Sequence, residues 1–171
     1  MTYDIHPIFV HFPIALLVVY SIIKILPFKK WFPQVTWNYL ESILLLIGVL
    51  GAFISSSTGE VAEHLTKANK NLVEMHSTFA GISTWLYGLL LLGEILVLLT
   101  PKLFPKFNLP KTSELVLFIQ NLLTNPISSK IIAFLGLIAI SITGMLGGVI
   151  VYGISADPLA PMLLKLLGIT L

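Results

Sequence analysis

Cysteine is missing from this 171-residue chain, and so is arginine: all ten basic residues are lysine. Without thiols the chain has no disulfide, no iron–sulfur cluster, no thiolate zinc site and no covalently attached c-type haem. Without guanidinium groups it has no bidentate clamp for phosphate or carboxylate. Charge of either sign is scarce, at 11% of residues, and a net charge of +2 leaves no footprint for nucleic acid. Any metal held here falls to histidine, carboxylate, methionine or backbone.

What fills the chain instead is apolar: 56% of residues are hydrophobic and the mean hydropathy is +0.95. No soluble domain of this length needs so much apolar surface, so lipid is the solvent for most of it. Crossing a hydrocarbon core of ~30 Å takes about 20 helical residues. Four stretches qualify, near 7–26, 37–57, 73–99 and 131–152. The expectation is an all-α, single-domain transmembrane four-helix bundle over residues 1–171. Pro7 opens the first span and Pro27 closes it, while Pro13 lies inside it and removes one backbone hydrogen bond. Asp4 stands where a secretory leader carries basic residues, so the first span reads as a retained helix. Thr58-Gly59 ends the second span and Pro101 the third.

Two shorter segments do not span. Residues 113–125 place Leu115, Phe118, Ile119 and Leu122 on one helical face and Glu114, Asn121 and Asn125 opposite, an interfacial helix stopped by Pro126. The tail from Leu159 is apolar with one snorkelling lysine, Lys165, and reads as a short amphipathic helix lying on the surface or folded over one end.

Lysine sets the orientation. One side gathers Lys24, Lys29, Lys30, Lys102, Lys106, Lys111 and Lys130 beside an aromatic belt of Trp31, Trp37 and Tyr39. The positive-inside rule makes that side cytoplasmic and predicts a bacterial inner-membrane protein with both termini outside. All four histidines, His6, His11, His64 and His76, then face outward.

Imidazole is the usual protein ligand of haem iron and is costly to bury unpaired in lipid. Helix rise puts His11 and His76 each about 5–6 Å below the outer ends of their helices. Gly51, Gly147 and Gly148 lie at about 7–10 Å on the other two helices, with Gly144 one turn below Gly148. Opposed imidazoles plus bare backbone suit a planar macrocycle wedged in a bundle. The expectation is haem b ligated by His11 and His76, with His6 and His64 as substitutes or as donors that orient the ligands. Lys67 and Lys70 are the cations available to its propionates.

Blander readings stand beside this one. Gly144 and Gly148 form a small-xxx-small motif that serves helix packing alone. His6 caps its helix, and His64 is a solvated residue of a polar turn. Met145 fills the core. Glu60, Glu63, His64, Glu74 and His76 offer zinc or copper a site without haem, in a transporter or sensor, although no HExxH spacing is present. A structural subunit without cofactor is the third reading. Glu94, inside the third span, serves a proton path or a quinone pocket, or pairs with Lys24.

The run His6-Pro7-Ile8-Phe9-Val10-His11-Phe12-Pro13-Ile14-Ala15-Leu16-Leu17 resembles a bacterial four-span membrane family known as domain of unknown function 2231. Thr58-Gly59, His76 with Ala80, and Thr143 through Tyr152 carry the rest of the likeness. The resemblance implies the four-span fold and no function. Family members often carry His-Gly shortly after the tyrosine; Ile154 and Ser155 stand there here, so a ligand at that position is absent. The function expected from the residues is electron transfer with a membrane or periplasmic redox partner, without bond chemistry of the protein's own.

Overall fold

The computed structural model describes residues 6–65, 68–103 and 110–169; side chains at 64, 65, 101–103 and 110–113 are outside the description. Among the described residues every regular element is helical. The helices are α1 (His6–Ile25), α2 (Phe28–Trp31), α3 (Trp37–Leu65), α4 (Lys70–Leu103), α5 (Pro110–Thr124), α6 (Pro126–Tyr152) and α7 (Ala160–Leu166). Four of them, α1, α3, α4 and α6, are long and apolar enough to cross a membrane. They alternate in direction, with α1 packed closely on α3 and α4 closely on α6, while α3 with α4 and α1 with α6 close the ring more loosely. So α1 and α4 stand diagonally opposed, as do α3 and α6.

The core is thin because lipid, not water, bathes the outside. Leu17, Tyr20, Leu45, Val49, Tyr87, Leu90, Ala133 and Ile140 fill the bundle axis. Large apolar residues such as Val19, Trp85 and Ile138 point outward, as lipid-facing positions must. Hydroxyls within the spans bond carbonyls of their own helix: Ser56 to Ala52, Thr84 to Ala80 and Ser141 to Leu137.

Pro13 does not break α1, and two residues of α3 explain why. Proline has no N–H for the carbonyl of Phe9, four residues back. The Ser55 hydroxyl donates to that carbonyl at 3.1 Å. Opposite the pyrrolidine ring lies Gly51, where a Cβ would stand 3.0 Å from Pro13 Cβ. One turn along, Gly48 makes the same room for Leu17.

Several boundaries differ from the sequence expectation. Helix α3 does not stop at Thr58-Gly59 but continues to Leu65, because Thr58 turns its hydroxyl back to the Ser55 carbonyl at 2.9 Å and keeps the helical path. Helix α4 runs two residues past Pro101, which costs the one hydrogen bond to the Val97 carbonyl. Asn125 caps α6 by accepting from the Ile127 N–H at 2.9 Å, and Pro126 takes the first helical turn.

Helix α5 docks through buried Leu123, which sits against Gly93 of α4, and Gln120 accepts from the Thr100 hydroxyl at 2.7 Å. Leu115, Phe118 and Leu122 stay exposed, the arrangement expected of an interfacial helix. At the other end, Gly153 (φ 79°) turns the chain out of α6. The tail then folds back: Ala160, Leu164 and Ile169 bury themselves with Leu72, Leu146 and Val149, and Met145 packs against this cluster.

The lysine end holds a buried acid. Glu41 Oε2 accepts from Lys24 Nζ at 3.1 Å, and Lys29 Nζ lies 2.9 Å from Oε1 as an ion pair without hydrogen-bond alignment. Lys24 thus pairs with Glu41 of the neighbouring α3 rather than with Glu94.

Candidate functional site

At the opposite end, all four spans contribute to one polar layer. His6 opens α1 and His76 lies in the second turn of α4, so the diagonal helices each present an imidazole to the bundle axis. Their ring centres are 6.4 Å apart and their planes meet at 89°. The other diagonal supplies the supports.

His6 Nδ1 lies 2.9 Å from Thr58 Oγ1. The only hydroxyl hydrogen of Thr58 is spent on the Ser55 carbonyl, so His6 must donate from Nδ1. His76 Nδ1 lies 3.0 Å from the Thr143 carbonyl, which can only accept, so this ring donates from Nδ1 as well. In each neutral ring the basic lone pair is therefore on Nε2. This is the tautomer a metal-ligating histidine adopts when a second partner orients it.

Glycine makes both contacts possible. A Cβ at Gly59 would stand 3.2 Å from His6 Cε1, and one at Gly147 would stand 3.2 Å from His76 Cε1. The Thr143 carbonyl already takes the Gly147 N–H within α6, and the bare Gly147 opens its remaining lone pair to the imidazole. The two halves of the site match. An imidazole on the first helix of each close pair (α1 of α1/α3, α4 of α4/α6) is seated on a threonine and a glycine of the second.

The remaining sequence candidates fall elsewhere. His11 is not brought together with His76: its Nδ1 bonds the Pro7 carbonyl of its own helix and the ring is exposed. Gly51 is engaged with Pro13, whereas Gly144 has nothing within 4 Å of its Cβ position, and Gly148 meets only Ala156 at 3.9 Å. Lys70 is exposed at the start of α4. The Lys67 expectation lies outside the described residues, as does that for the His64 side chain. Among the described residues no three histidine or acidic side chains converge as a metal group.

The sequence gives Thr58 and Gly59 only the role of ending the second span, and it gives Thr143 no place at a site. The signal was present as the dipeptides Thr58-Gly59 and Thr143-Gly144, which recur near the same end of α3 and α6.

A ring of four apolar helices with a histidine-bearing polar layer at one end defines a multi-pass membrane protein. The chain belongs to the DUF2231 family of predicted membrane proteins, whose sequence model matches residues 2–157. No curated protein and no solved structure matches it.

Proposed function

We propose that this protein binds b-type haem at its histidine end through His6 and His76 and serves electron transfer. The observation that carries the reading is the diagonal pair of imidazoles, each held at Nδ1 so that its lone pair is on Nε2. Two imidazoles opposed across a metal at about 2.0 Å from each nitrogen have ring centres roughly 6 Å apart. The ligand count argues in the same direction. A closed zinc site needs four protein ligands, whereas haem brings its own ring nitrogens and asks the protein for two. His6 and His76 would hold the iron, which would supply the one-electron centre, and the low-dielectric bundle would tune its potential.

The lysine distribution supports a bacterial inner membrane with the histidine end outside. Lys70, and Lys67 before it, are the cations for the propionates. One haem at one end of ~30 Å of lipid does not complete a route across it. The electron therefore comes from, and goes to, partners.

Expression with the haem precursor 5-aminolevulinate, followed by visible spectroscopy of the purified protein, tests this reading. Soret and α bands lost in His6→Ala and His76→Ala but kept in His11→Ala support it. Bands lost in His11→Ala and kept in His6→Ala transfer the ligand role to His11. A colourless wild-type protein with stoichiometric copper or zinc overturns haem in favour of a bare metal, and a colourless, metal-free one removes both.

A further inference from the structure

Charge at the lysine end is unevenly shared. Lys24 and Lys29 both lie on Glu41, at 3.1 and 2.9 Å, whereas no cation pairs with Glu94 among the described residues. Glu41 thus has two counter-charges, and Glu94, half-buried within α4, has none. Lys30 and Lys130, the other cations whose side chains are described at this end, are exposed. A carboxylate inside a membrane span is costly until a cation reaches it.

Lys24 is placed to do so. It stands 18 residues after His6 on α1, and Glu94 stands 18 after His76 on α4. Eighteen residues are five full turns and about 27 Å of helix. The two helices run in the same direction, so Lys24 and Glu94 repeat at the lysine end the diagonal facing of the two imidazoles. Side chains do span this diagonal nearby: the Ser21 and Tyr87 hydroxyls meet at 2.7 Å. A lysine and a glutamate together extend at least as far as a serine and a tyrosine. Tyr20 offers a step on the way. Lys24 Nζ stands 6.0 Å from the centre of its ring, and its hydroxyl is within electrostatic reach of Glu94 as well as Glu41. The face of that ring attracts an ammonium group.

Glu41 does not lose its partner when Lys24 leaves, because Lys29 stays, held also by Asn38 Oδ1 at 2.7 Å. The exchange replaces one doubly paired and one unpaired carboxylate with two single pairs. Full pairing favours the second arrangement. The deeper burial of Glu41, 3% exposed, favours the first. Opposed advantages of this kind make a bistable element.

We propose that Lys24 exchanges between Glu41 and Glu94 as a two-position charge switch. In the first position, the one in this structure, its ion pair lies within the close pair of α1 and α3. In the second it joins α1 to α4 and ties the two close pairs together at the lysine end. The switch goes beyond the proposed function and stands whether or not the histidine end carries haem.

Zero-length cross-linking of the full chain in phosphatidylcholine nanodiscs tests it. Dicyclohexylcarbodiimide enters the bilayer and activates a carboxyl group, and a lysine in contact with that group closes an isopeptide bond that mass spectrometry locates. Wild type is expected to give both Lys24–Glu41 and Lys24–Glu94 links. Glu41→Gln raises the Lys24–Glu94 yield about twofold or more, because one position is then left to Lys24. Glu94→Gln leaves the Lys24–Glu41 link alone. Linking of Lys24 to Glu41 with none to Glu94 in wild type overturns the switch, and that result needs no variant to fold. A Lys24–Glu94 yield unmoved by Glu41→Gln overturns it as well.

Discussion

Ser55 of α3 donates its hydroxyl to the Phe9 carbonyl of α1, the acceptor that Pro13 strips of its N–H partner. The bond repairs a defect inside the same bundle that Gly51 opens to receive the proline ring. Ser55→Ala leaves a carbonyl unsatisfied and destabilises the protein by about 1–3 kcal/mol. In a Pro13→Ala background, where the N–H is restored, the same substitution costs less than about 1 kcal/mol. Unfolding midpoints of the four proteins in one detergent give the coupling, and equal costs in both backgrounds remove the argument.

The two imidazole seats predict a second pair of effects. Gly59→Ala and Gly147→Ala each put a methyl against a histidine Cε1 and displace the ring. On the haem proposal, haem content falls in both, while Gly88→Ala, which meets nothing, keeps it. Thr58→Val removes the acceptor of His6 Nδ1 and, on the same proposal, weakens haem affinity by about 10–100-fold. Absorbance titration with haemin reads all four.

Tyr87 separates packing from hydrogen bonding. Its hydroxyl meets Ser21 Oγ at 2.7 Å, and its Cζ lies 2.9 Å from where a Gly136 Cβ would stand. Polar bonds between membrane helices contribute only about 0.6 kcal/mol on average, so Tyr87→Phe is mild. Gly136→Ala forces a fully buried ring to move and costs about 1–3 kcal/mol. Thermal unfolding in detergent should rank Gly136→Ala well below Tyr87→Phe in midpoint.

Glu41 is the third stability centre. Its side chain is 3% exposed, against 21% for Lys24 and 49% for Lys29. Water screens the lysines, so Glu41→Gln costs about 1–2 kcal/mol rather than the larger penalty of a fully buried pair. Lys29→Ala costs less than about 1 kcal/mol and Lys24→Ala more than Lys29→Ala. Chemical denaturation of the three variants checks the order.

The spans and the helix before Pro126 were legible because apolar run length and proline position report them directly. Which histidines meet was not. His11 lies deeper in the apolar stretch, and depth alone recommended it. Five residues separate it from His6, which turns it about 140° around α1. His6 instead shares its face with Pro13 and Leu17, the residues that Gly51 and Gly48 receive. That his-pro-leu spacing was readable; its meaning required knowing where α3 packs. The supports at Thr58 and Thr143 were hidden for a related reason. One acts through a side chain and the other through a backbone carbonyl, which any residue supplies.

The way the helices pair has a mechanical consequence. The hydrogen bonds from His6 to Thr58 and from His76 to Thr143 each lie within one close pair, α1 with α3 or α4 with α6, and the looser helix contacts lie between the pairs. The gap between the rings is therefore governed by how the two halves sit against each other, and neither of these two hydrogen bonds spans it. The bundle is built like a pair of calipers, each jaw carrying one imidazole.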